Sequence, residues 1–206
     1  MAISARATAL INNLAKRGDI MAQAVKNLVT ANTVGTGVPV KFTLTTPTAA
    51  GTTGLLASLA SNSATNTFTI TNATFDFPRN VRIAFASGWD GGNVALVGLD
   101  ARGNALTETI TASAGNTVAS VNAFKSLTSA TKSAVGATGN AATGGVGNVF
   151  ATGVYRLADR ELVVTLTDTN AQDTAPTLID MTHSTFTMAT APNGTHSYEV
   201  DCNAIL

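Results

Sequence analysis

Short runs that alternate apolar and polar residues put the strongest constraint on what this chain can fold into. In Lys41 to Thr45, Phe42 and Leu44 share one side, and in Thr67 to Thr71 the pair is Phe68 and Ile70. Asn80 to Ala86 brings Val81, Ile83 and Phe85 together, and Glu161 to Thr167 does the same for Leu162, Val164 and Leu166. A period of two sends alternate side chains to opposite faces of a strand. Turn residues bound each run, so the pattern predicts a two-layered antiparallel β domain. Threonine, at 34 of 206 positions, points the same way, because small β-branched side chains pack well on a pleated surface. Apolar residues make up 45% of the chain and recur in these patterns, which separates it from a polar disordered sequence.

The clearest local unit is Asn93 to Thr111. Two β-like runs flank Asp100-Ala101-Arg102-Gly103, a type I turn with Gly103 in the left-handed position, and so predict a hairpin. Glu108 falls on the same face as Leu106 and Ile110. Either the face of Thr107, Thr109 and Thr111 is buried, or the strand lies at an edge where Glu108 reaches solvent. Residues Thr131 to Gly147 hold almost nothing large and read as a long flexible loop or as strands joined by tight glycine turns. From Thr177 onward β character returns. Ile179 and Met181 sit on one parity and Phe186 and Met188 on the other, a switch that implies a bulge near His183 to Thr185.

The first thirty residues differ. Ala7, Leu10, Ile11 and Leu14 form one apolar stripe at helical spacing, and Met21, Val25 and Leu28 form a second, with Gly18 and Asp19 between them as stop and N-cap. The expected organisation is a helical arm over residues 1–32 and a β-sandwich over 33–206, with 33–70 and 177–206 as a candidate peripheral layer. A stripe this narrow must lie on something else. That makes Leu10, Ile11, Leu14, Met21, Val25 and Leu28 candidate interaction residues.

Twelve basic residues balance twelve acidic ones, without the positive excess that nucleic-acid binding exploits, so no nucleic-acid partner is expected. No apolar run is long enough to span a membrane, and charges interrupt the N-terminus where a signal peptide would need an apolar core. Synthesis in a cytoplasm is the expectation. Catalytic chemistry is hard to assemble: the histidines are His183 and His196, and no Gly-x-Ser-x-Gly elbow occurs. With Cys202 they match no structural zinc spacing, and Asp168 to Asp173 lacks the glycine turn and closing Glu of a calcium loop. The glycines of 139–147 lack the Lys and Ser/Thr of a phosphate loop. The expectation is therefore no catalytic residues, no metal and no cofactor. Trp89, between glycines in Ser87 to Gly92, is a candidate interaction residue for a sugar or a subunit, with a buried loop plug as the plain alternative.

Three segments in order carry a resemblance: Phe77-Pro78-Arg79-Asn80-Val81-Arg82-Ile83, Gly98 through Ile110 (GLDARGNALTETI), and Ala123-Phe124-Lys125-Ser126-Leu127-Thr128-Ser129. Over roughly residues 75–160 the chain resembles a recurring domain of tailed-phage virion proteins, capsid decoration (cement) proteins among them. The resemblance implies a mainly β fold, an antiparallel β-sandwich of Ig-like or jelly-roll-like type, with no catalytic residues to carry over. It implies a virion role, and the leading expectation within that role is attachment to the outer capsid surface, with the major capsid protein and copies of the chain itself as partners. A tail, neck or fibre component is the alternative within the virion. A carbohydrate-binding β-sandwich module is the alternative of another class.

Overall fold

The computed structural model describes residues 38–151, 156–166, 171–172, 177–180, 185–188 and 190–205. The predicted helical arm, with Leu10, Ile11, Leu14, Met21, Val25 and Leu28, lies outside them. The described chain is mainly β, built from antiparallel strands, and contains no helix. In order the strands are β1 (Val38–Leu44), β2 (Leu56–Ala60), β3 (Thr74–Phe85), β4 (Val94–Asp100), β5 (Ala105–Ile110), β6 (Thr117–Ala119) and β7 (Phe124–Lys132). They continue as β8 (Ala141–Ala151), β9 (Arg156–Leu166), β10 (Ala171–Gln172), β11 (Thr177–Asp180), β12 (Thr185–Thr187) and β13 (Tyr198–Ile205).

The larger sheet follows the order β11-β12-β8-β3-β7-β4-β5, with β2 on β8 and β6 on β3. Its pairing also closes a circuit. β3 pairs β8, from Val81↔Val146 to Phe85↔Ala142, and β8 pairs β2 at Leu56↔Gly144. Ala57 N–H donates to Thr69 O and Thr71 N–H to Leu55 O, which ties β2 to residues 67–71. Phe68 N–H donates to Ala130 O, tying that segment to the second half of β7, while the first half of β7 pairs β3 at Thr74↔Ser126. The run Thr67 to Thr71 is therefore extended chain that bridges two strands, with Phe68 buried as its alternation predicts.

Inside the circuit lies one apolar core. Val81, Ile83 and Phe85 of β3 meet Phe68, Phe75, Leu55, Leu56, Val94, Leu96, Ile110, Phe124 and Leu127. The alternation read from Asn80 to Ala86 is thus the inward face of the central strand. β1, β13, β9 and β10 form a second sheet in that order, β1 pairing β13 from Val38↔Ala204 to Leu44↔Tyr198. Leu44, Tyr198 and Val200 are buried, as are Met188 and the stacked pair Phe150 and Phe186, whose centroids are 6.1 Å apart.

Three expectations gain physical detail. Of the two readings of the glycine-rich stretch, strands joined by a glycine-containing loop is the one observed, since its second half runs into β8, a central strand. Glycine is needed there because neighbours approach: a Cβ on Gly144 would sit 2.7 Å from Leu56 Cδ1, and one on Gly147 would sit 2.2 Å from Asn80 Oδ1. After residue 177 two antiparallel strands, β11 and β12, pair with a register shift between Leu178 and Asp180, and the bulge expected near His183 to Thr185 falls largely outside the described residues. The dilemma at Glu108 resolves as the edge case. β5 ends the sheet order, Thr107 and Thr109 are exposed, and Glu108 is half-buried.

Candidate functional site: internal charges and a neutral sheet face

The predicted hairpin turn forms as its residues dictate. Gly103 has φ 87°, a conformation open to glycine, and Gly103 N–H donates to Asp100 O at 3.0 Å. Asp100 Oδ1 accepts the amides of Arg102 and Asn104, each at 2.8 Å. Burial pulls the Asp100 pKa upward, but the Asn104 and Arg102 hydrogen bonds outweigh it and leave the carboxyl below its ordinary value. One strand further, Glu108 accepts Val121 N–H at 2.6 Å, Asn122 N–H at 3.0 Å and Asn122 Nδ2–H at 3.0 Å. Its carboxylate joins β5 to the loop after β6 where no backbone ladder does.

The middle of β3 carries two buried polar side chains. Asn80 Oδ1 accepts Val149 N–H at 3.0 Å, and its Nδ2 donates to Ser120 O at 3.3 Å. Ser120 Oγ accepts Val81 N–H at 2.9 Å and donates to Asn122 O at 2.9 Å. Beside Asn80, Arg79 is fully buried. Its Nε and Nη2 donate to Gly147 O and its Nη1 donates to Thr48 O at 2.5 Å. The guanidinium lies 4.9 Å from the Phe150 ring centroid and 3.7 Å from Asp76 Oδ2. Burial pushes the Arg79 pKa down to about 10 even though Asp76 favours the cation. Arg79 and Asn80, read as part of a motif, thus tie β3 to β8, with Arg79 also reaching Thr48 in the chain after β1.

Lys132 ends β7 with its ammonium inside the protein. Nζ donates to Ser61 O at 2.9 Å, Ser63 O at 3.0 Å, Ala134 O at 2.9 Å and Asn66 Oδ1 at 3.1 Å. Nearby, Asp90 pins the loop before β8, accepting Ala137 N–H at 2.7 Å, Thr138 N–H at 3.1 Å and Thr138 Oγ1–H at 2.8 Å. Hydrogen bonds from the Ser61 and Thr138 side chains, and then from the amides of Ala137 and Thr138, hold its carboxyl well below the usual range. Each of these charged groups is engaged by the protein's own backbone and side chains.

The outward face of β4, β5 and β7 is different. Registers place Ala95 beside Thr109 and Thr131, Val97 beside Thr107 and Ser129, and Leu99 beside Ala105 and Ser126. None of these nine positions is charged, and Val97 and Leu99 are each 38% exposed. The sequence held this surface in plain sight as alternation, but no motif marked it. Trp89 belongs elsewhere. It is only 6% exposed, its Nε1–H donates to Gly92 O at 2.9 Å, and its ring lies 5.5 Å from that of Phe85. It is the loop plug, so it offers no open ring for a sugar or a subunit. The other candidate interaction residues lie outside the described part, as does His183.

Two small concavities border these features. One is lined by Asp100, Arg102, Leu106, Asn122 and Thr185, the other by Thr48, Leu55, Asn72, Phe75 and Asp76. Among the described residues, no three His, Cys, Asp or Glu side chains gather as a metal site, and no helix is long and apolar enough to cross a membrane. In comparisons with known proteins, the chain matches no family, no curated protein and no solved structure.

Proposed function

We propose that this chain is a structural, non-enzymatic virion protein: a capsid decoration (cement) protein that binds the outer capsid surface and stabilises subunit contacts. Its partners are the major capsid protein and copies of itself, and it is made in the host cytoplasm and ends on the particle. Within this reading the closed, antiparallel strand arrangement is a β-sandwich of Ig-like or jelly-roll-like type, and the arm over residues 1–32 reaches a neighbour.

The observation that carries the reading is the contrast between the two kinds of surface. Arg79, Lys132, Asp90, Asp100 and Glu108 are engaged in intramolecular hydrogen bonds, while nine registered positions of Ala, Val, Leu, Thr and Ser on β4, β5 and β7 face outward with one exposed charge, Lys125, beside them. Such a face associates through shape, apolar contact and hydrogen bonding more than through electrostatic steering. Repetition on a symmetric shell lets many modest contacts of this kind add up to firm attachment. The ordered likeness of three segments to phage virion proteins gives the shell as the setting.

Cryo-microscopy of particles carrying the tagged chain tests the assignment. Density over the capsid lattice supports it, density confined to tail, neck or fibres replaces it with the other virion role, and absence from particles rejects both. The carbohydrate-binding alternative has little support, because Trp89 is engaged in the core. Strong, Trp89-dependent signals on a glycan array would restore it.

A further inference from the structure

We infer that the outer edge of β5 is a self-association surface, pairing antiparallel with β5 of a second copy of this chain. β5 ends the larger sheet, and among the described residues no strand pairs its outer edge. Asp100 N–H donates to Asn104 O at the hairpin end, so the alternation of the antiparallel ladder directs residues 106, 108 and 110 toward β4. The N–H and C=O groups of Ala105, Thr107 and Thr109 then point away from the sheet. Strand edges in folded proteins are normally guarded by lysine, proline, a bulge or a covering loop. Residues Ala105–Ile110 contain no lysine or proline, and they pair β4 from end to end without a register shift. Glu108 is the one charge on the strand, and its carboxylate is held by Val121 and Asn122.

What surrounds the edge argues for a second copy as its occupant. Among the described residues, the exposed large hydrophobics are Val97, Leu99, Val121 and Val135. Three of them flank this strand: Val97 and Leu99 lie on the neighbouring strand, and Val121, 61% exposed, lies in the loop that Glu108 holds. An antiparallel pairing centred on Thr107 sets Thr107 opposite Thr107, and Ala105 opposite Thr109, on the uncharged outer face. On the inner face it sets Leu106 opposite Glu108. No like charges meet, and cross-strand threonine pairs are favourable neighbours. The strand is complementary to itself, which a two-fold interface requires.

This inference supplies a surface for the self-association included in the proposed function, and shell binding is measured separately so that either can fail alone. The full-length chain is followed by sedimentation over a range of concentrations, with amide hydrogen exchange on the same samples. The expected result is reversible dimer formation, with concentration-dependent protection at Ala105, Thr107 and Thr109. Thr107→Lys sets two ammonium groups against each other at the two-fold and should weaken the dimer by about tenfold or more with an unchanged melting curve. Val135→Lys, on a separate loop, should leave it intact. Should Thr107→Lys fold poorly, Thr109→Lys carries the same test, and the exchange pattern of the unaltered chain does not depend on either variant. A chain that stays monomeric, or dimerises while those three amides exchange freely, or dimerises equally well as Thr107→Lys, overturns the inference.

Discussion

Replacing Arg79 with methionine tests the structural use of charge most sharply. The guanidinium makes hydrogen bonds to Gly147 O and Thr48 O and stacks on Phe150, all at a site with no solvent exposure. Methionine fills comparable space but leaves the Gly147 carbonyl without that donor. Each hydrogen bond to a charged group contributes roughly 1.5–3 kcal/mol, and a buried orphaned carbonyl costs about 1–3 kcal/mol. Offsetting this, methionine avoids the desolvation that pushes the Arg79 pKa down to about 10, and Asp76, with a side chain 27% exposed, can rehydrate. The expected net loss is about 3 kcal/mol, near the low end of what removing one partner of a buried charged pair costs. For a chain of this size that corresponds to a fall in Tm of roughly 6–12 °C. Arg79→Lys keeps the charge but loses the planar fork, and should fall between the two. Urea unfolding followed by circular dichroism measures all three. A methionine variant as stable as the parent, or more stable, would refute the view that this arginine secures β3 against β8 and the segment at Thr48.

Further predictions concern backbone and pH. Gly147→Ala drives a methyl into Asn80 and should cost about 2–4 kcal/mol in urea unfolding, by overpacking and by breaking the buried Asn80 bonds. Gly103→Ala has open space around it and a φ of 87°, so its cost should be only about 1 kcal/mol. Thr46 is a β-branched residue at φ 40°. Thr46→Gly should therefore raise stability by roughly 0.5 kcal/mol, the relief of left-handed strain exceeding the added chain entropy, while Thr45→Gly lowers it. Asp90 and Asp100 have folded pKa values below their unfolded ones, so the unfolded chain binds more protons in between. Their stabilising contribution is complete above about pH 4 and is lost as pH falls through the folded values, so Asp90→Asn should flatten the acid limb of a stability–pH curve.

Alternation was a reliable guide in the central strand β3 and at Phe68 and Leu44. Val81, Ile83 and Phe85 are buried as their spacing requires, and the Asp100 to Gly103 turn follows from local chemistry alone. Reading failed where meaning depends on a distant neighbour. Nothing near Gly144 or Gly147 in sequence announces Leu56 or Asn80, so the sequence left a flexible loop and strands joined by glycine turns both open, and the second half of the stretch proves to be strand. Lys132 drew no notice in the sequence, and its four oxygen partners come from residues 61–66 and 134. Glu108 broke the apolar pattern of its face. That break was a legible signal, and only the loop at 121–122 supplies its reason. The neutral face of β4, β5 and β7 needed the strand order, which period-two patterns do not contain.

The central claim is that this protein works by fitting against other proteins of a particle, and co-sedimentation with undecorated phage shells measures that directly. The account predicts saturable binding at a fixed ratio to the major capsid protein, only weakly reduced by salt because the outward sheet face carries little charge, with Lys125 the exposed charged residue of its three strands. No pelleting with shells at any concentration, or binding abolished by moderate salt, would contradict it.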